Sequence, residues 1–105
     1  MNNKTFSINL NFDSLGEAYG WPKDFSEDSA FTLGVKKILD LSEKLNIPIT
    51  FFLVGKDLEN KKNYEIIKRL LNNDNVEIAN HSYNHLFNFG SRNEQIIYDE
   101  IYKSH

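Results

Sequence analysis

Three side chains in this sequence have the types and the order needed to hold a divalent cation: Asp13, His81 and His85. The two histidines stand four residues apart in His81-Ser82-Tyr83-Asn84-His85, so a helical turn there would project both imidazoles to one side, where they could share an ion. Read alone, the pair fits surface or helix-capping histidines about as well as ligands. A third ligand shifts that balance. Asp13 ends the first apolar stretch of the chain; an aspartate there also suits a turn, but in a parallel α/β sheet the loops leaving successive strands emerge at one edge. All three residues then converge. Cysteine is absent, so any metal site must be built from imidazole and carboxylate.

The elements that must position these residues follow from periodicity. Over residues 5–13, Phe6, Ile8, Leu10 and Phe12 alternate with polar side chains, which predicts a strand with one apolar face. Residues 14–29 carry Gly16, Gly20, Pro22 and several acids without a period, as in a long excursion from the C-terminal end of that strand. A helix is expected from Ser29 or Thr32 to Asn46, with Leu33, Val35, Ile38, Leu39, Leu41 and Leu45 on its buried face. The β-branched and aromatic run 49–55 follows Pro48 and predicts a parallel strand buried on both faces. A second helix is expected over 63–71, burying Tyr64, Ile66, Ile67, Leu70 and Leu71. A third strand is expected over 76–79, and a third helix over 93–102 with Ile96, Ile97 and Ile101 apolar and Glu94 near its start. The charged run 56–62 reads as a solvated connection, and Phe87 and Phe89 as packing beneath the histidine loop.

The order strand, helix, strand, helix, strand, helix is that of an α/β protein with parallel crossovers. At 105 residues the chain is one domain at most. Three strands cannot close a barrel and would leave edges unpaired, so either a second copy pairs through those edges or the chain is part of a larger domain; the second is preferred. A net charge of -3 with scattered lysines argues against nucleic acid as a partner. The longest apolar run, 47–54, is too short to span a bilayer, and residues 1–6 lack the apolar core of a secretory signal, which together suggest a cytoplasmic protein.

At this point the sequence resembles the polysaccharide deacetylases with a NodB-homology domain, a carbohydrate esterase type, from about Ile8 to the C-terminus. Leu10-Asn11-Phe12-Asp13-Ser14 looks like that family's first motif, Ile49-Thr50-Phe51-Phe52-Leu53-Val54-Gly55 like its second strand, and His81-Ser82-Tyr83-Asn84-His85 like its H-[ST]-x-x-H motif. The resemblance implies the N-terminal three βα units of a distorted (β/α) barrel, incomplete in this chain. It also implies a divalent metal held by Asp13, His81 and His85, with zinc first and cobalt, nickel or manganese as alternatives, and hydrolysis of an N-acetyl, or related acyl or formyl, group from an amino sugar or polysaccharide precursor.

Members carry two acids in the first motif, one a metal ligand and one the general base; this sequence has one. With adjacent acids, Asp13 would be the base and Ser14 would stand at the ligand position. With a D-x-D arrangement, Asp13 is the ligand and Asn11 replaces the base. The second register is preferred, because Asn11 and Asp13 share the strand face opposite Ile8, Leu10 and Phe12. Neutral Asn11 cannot take a proton, so activity is weakened or depends on another base, such as Glu17 or a residue beyond Lys103. The family's later Arg-containing, Asp-rich and Leu-x-His motifs do not occur here, and His105 is a poor substitute for the acid they supply. Tyr19 and Trp21, in the excursion after the first strand, could stack on a sugar ring; Trp21 could equally anchor that loop.

Two other readings stand beside the hydrolase. One is a non-catalytic relative that keeps a metal or carbohydrate site, for which Asn11 is the argument. The other is a receiver-type signalling module, disfavoured because Asn11 and Ser14 do not supply the acidic cluster such a module needs at its first strand.

Overall fold

Alternating side chains in the first strand meet a fully apolar second strand, and the two pair in parallel. The structure, a computed structural model, describes residues 7–14 and 30–105. Strands β1 (Ile8–Phe12), β2 (Ile49–Leu53) and β3 (Val76–Asn80) form one sheet in the order β1-β2-β3, with Ile8 opposite Ile49 and Ile49 opposite Val76. Helices α1 (Val35–Leu45), α2 (Lys61–Leu70) and α3 (Glu94–Lys103) alternate with them as expected; a π-helical turn, Ala30–Gly34, leads into α1. The α/β class and the parallel sheet agree with the sequence reading.

One sheet face forms the core. Ile8, Leu10, Phe12, Ile49, Phe51, Leu53, Val76 and Ile78 pack with Phe31, Val35, Ile67 and Leu70 from the helical side. Phe12 is the hub, meeting the ring edges of Phe31 at 5.0 Å and Phe51 at 5.6 Å between centroids, the edge-to-face arrangement that aromatic quadrupoles favour. Three details differ from expectation. Strand β2 is not buried on both faces: Ile49, Phe51 and Leu53 are buried, while Thr50 and Phe52 are half-buried on a face shared with Asn9, Asn11 and Glu77. The helices' buried faces are narrower than their apolar stripes, since Leu33, Leu41, Leu45, Tyr64, Leu71 and Ile101 are exposed; three strands cover only part of each stripe. Helix α2 begins at Lys61, before the expected start, because the Asn60 carbonyl side chain accepts the Lys62 N–H at 2.9 Å as an N-cap.

The ends of the elements are set by local chemistry. Asn46 closes α1 in the left-handed conformation, φ 51°, which asparagine tolerates better than most residues. Asn93 caps α3 by accepting the Ile96 N–H. Among the described residues no helix is long and apolar enough to cross a membrane.

Candidate metal centre

Asp13 follows the last residue of β1 and lies between two buried anchors. On one side Phe12 is locked in the aromatic core; on the other the Ser14 N–H donates to the Asp57 carboxylate at 2.7 Å. Asp57 is itself buried, in the 3-10 turn Gly55–Glu59 that follows β2, and its carbonyl accepts from the Asn63 side chain at 3.1 Å. This corrects the reading of residues 56–62 as a merely solvated connection. The backbone carrying Asp13 is tied to the turn after the neighbouring strand.

The histidine loop leaves β3 at the same sheet edge. His81 N–H continues the ladder by donating to the Leu53 carbonyl at 3.0 Å, and the Gly55 and Lys56 N–H groups donate to the carbonyls of Ser82 and Tyr83 at 3.0 and 2.9 Å. Asn80 turns the chain, accepting the Ser82 N–H at 2.7 Å while its amide donates to the Ile101 carbonyl at 3.1 Å. The imidazoles do not converge through a helical turn. Ser82 and His85 adopt left-handed backbone conformations, φ 64° and 53°, and the segment is an irregular loop. Such conformations cost non-glycine residues free energy and persist where surrounding contacts fix them. Gly55 provides one of those contacts, since a Cβ at that position would come within 2.8 Å of the Tyr83 ring and 3.1 Å of the Ser104 Cα. The Tyr83 hydroxyl donates to Glu59, a bond that holds its pKa above the ordinary tyrosine value.

The result is a three-residue cluster. One potential ligand atom from each of Asp13, His81 and His85 lies within 4.8 Å of the other two. His81 Nε2 is 3.7 Å from Asp13 Oδ1, and His85 Nε2 is 3.8 Å from Asp13 Oδ2. The imidazole rings are tilted by 43° with centroids 4.9 Å apart. Asp13 Oδ1 and His81 Nε2 are buried and have no hydrogen-bond partner among the described residues. Buried polar atoms are nearly always satisfied, so two orphans facing each other beyond hydrogen-bond range call for a third party. A divalent cation fits this donor set, because carboxylate oxygen and imidazole nitrogen are the ligands such ions take from a chain without cysteine.

A family profile described as polysaccharide deacetylase matches residues 2–105. The chain belongs to the polysaccharide deacetylase family. No match was found among curated proteins or among solved structures. Placed in that family, the described residues account for each motif identified in the sequence. The first-motif Asp13 and the two histidines of the third come together, and the second-strand motif is β2 with its succeeding turn. Asn11 pairs with Phe52 in the sheet, on the face turned away from the helices; it is exposed, and its side chain makes no hydrogen bond among the described residues. Glu17, Tyr19 and Trp21 lie outside the described residues, and His105 is exposed at the end of α3 and apart from the cluster.

Beside His85 opens a cavity of about 250 Å³, lined among others by Val54, Lys56, Asp57, Phe87 and Arg92. Phe87 does not pack under the loop as expected: it is 75% exposed, with its ring edge-on to His85 at 6.1 Å. Phe89 is half-buried. The sequence named Gly55 only as the end of the second-strand motif and gave no signal for Asp57, Asn80 and Glu100, which accept the backbone N–H groups of Ser14, Ser82 and Asn84.

Proposed function

We propose that the chain supplies the metal-binding part of a deacetylase centre that removes an N-acetyl group, or a related acyl or formyl group, from an amino sugar or polysaccharide precursor. The observation carrying this reading is the convergence of Asp13, His81 and His85, with two of their polar atoms buried and without a hydrogen-bond partner among the described residues. We read the three βα units as the first of a distorted (β/α) barrel. In support, helices pack on one sheet face, while the face bearing Asn9, Asn11, Thr50 and Phe52 carries no helix among the described residues, as the inner face of a barrel would.

Asp13, His81 and His85 would hold the cation, with zinc first and cobalt, nickel or manganese as alternatives. A cation so held supplies Lewis-acid polarisation of the acyl carbonyl and lowers the pKa of water. The chain's own groups do the rest of what can be assigned. The cavity beside His85 receives the sugar, with the exposed face of Phe87 offering an apolar surface to the pyranose ring and Arg92 donating at the rim. Asn11 orients water or substrate by hydrogen bonds and takes no proton.

The test is acetate release from N-acetylated sugars by the full-length protein supplied with zinc or cobalt, beside an Asn11→Asp variant. Restoring a carboxylate is expected to raise the rate about a hundredfold or more, the usual worth of a positioned base. A second reading, a metal- or carbohydrate-binding relative without turnover, is favoured by Asn11 itself. Retained sugar binding with no acetate from either protein would select that second reading.

A further inference from the structure

Helix α3 buries one side chain below a tenth of its area, and that side chain is a carboxylate. Glu100 is 4% exposed, whereas Tyr98, Ile101 and Tyr102 on the same helix are exposed. Burying a carboxylate costs far more than burying a leucine unless its oxygens are hydrogen-bonded, and even then an apolar residue often stabilises as well. An anchor chosen for stability alone would therefore be apolar.

Both Glu100 oxygens are spent on one residue. Oε2 accepts the Asn84 backbone N–H at 2.7 Å and Oε1 accepts the Asn84 side-chain amide at 2.5 Å. Asn84 lies between the two histidines and immediately precedes His85, whose backbone is left-handed. The Ser82 end of the loop is held by Asn80 and by the Gly55 N–H; the Asn84 end is held by Glu100. We infer that Glu100 is a positioning residue for the metal centre. Its fork fixes the peptide leading into His85, and so keeps the second imidazole at its distance from Asp13 and His81. The inference rests on the metal-centre reading above and extends it from the ligands to the helix that holds them.

The consequence is a coupling between α3 and metal affinity. Residues that orient a ligand without touching the ion are typically worth about ten- to a hundredfold in metal affinity. The experiment is zinc titration against a chromophoric chelator, with thermal melting of the metal-free proteins alongside. Glu100→Ala is expected to weaken zinc binding at least about tenfold. Glu100→Gln is expected to stay near wild type, because its oxygen accepts the Asn84 N–H and its amide can donate to an Asn84 side chain turned over by half a revolution. Glu94→Ala, on an exposed position of the same helix, should leave zinc affinity unchanged. A merely structural role would lower the melting temperature of both Glu100 variants without separating their zinc affinities.

Wild-type zinc affinity in a folded Glu100→Ala protein overturns the inference and leaves the metal centre standing. No zinc bound by the folded wild type removes the metal centre, and the inference with it. Where Glu100→Ala does not fold, Asn84→Ala gives the second test, since it cuts only the side-chain bond: a several-fold loss of affinity is expected, and an unchanged value overturns the inference.

Discussion

At the scale of residues, the backbone that carries the cluster is tied down by side chains outside it. Asp13 was legible in the sequence because it ends a period-two strand, and His81 and His85 because two imidazoles four apart are conspicuous. Asp57 was not, because it stands in a run of charged residues that resembles a solvated surface, and only the fold shows its carboxylate turned inward to the Ser14 N–H. Replacing Asp57 by alanine removes that acceptor and loosens the backbone that carries Asp13. The expected destabilisation is about 1–3 kcal/mol in denaturant unfolding, with weaker zinc binding in the fraction that folds. Unchanged stability would mean that Ser14 finds another acceptor at no cost.

At the scale of elements, the strands were the most readable part of the chain, since β1 alternates with period two and the short β-branched and aromatic run of β2 is bounded by Pro48 and Gly55. The helices were readable in existence and approximate bounds, but not in which residues they bury. Their apolar stripes exceed what three strands cover, so Leu41, Leu45 and Tyr64 lie in the open. The histidine segment was legible as a loop but its path was not: the left-handed conformations of Ser82 and His85, which stand in place of a helical turn, fall on residues with no glycine-like signal. What fixes them is tertiary: the Gly55 and Lys56 N–H groups, Asn80, and the absence of a Cβ at Gly55. Gly55→Ala must move the Tyr83 ring or the backbone at Ser104. It is expected to cost about 1–3 kcal/mol, the usual penalty of overpacking, and to lower zinc affinity together with stability. Because Gly55 lies in the turn after β2 and outside the histidine motif, an unaltered zinc affinity in that variant would show that the loop keeps its shape without this contact.

At the scale of the whole molecule, the cluster joins the end of β1 to the loop after β3, with β2 between them. An ion bound there ties the two outer strands of the sheet together and must stabilise the fold by mass action, because the unfolded chain offers no such arrangement. Zinc at a hundred times its dissociation constant is expected to add about 2.7 kcal/mol to unfolding, read as a concentration-dependent rise in melting temperature. The most direct test is zinc stoichiometry and affinity on the purified protein, beside Asp13→Ala, His81→Ala and His85→Ala. The expected result is about one ion per chain in the wild type, sharply weakened in each variant, since each removes one of the three ligands. Folded wild-type protein that takes up no zinc, cobalt, nickel or manganese, or variants that bind as the wild type does, would contradict the assignment of Asp13, His81 and His85 as a metal centre.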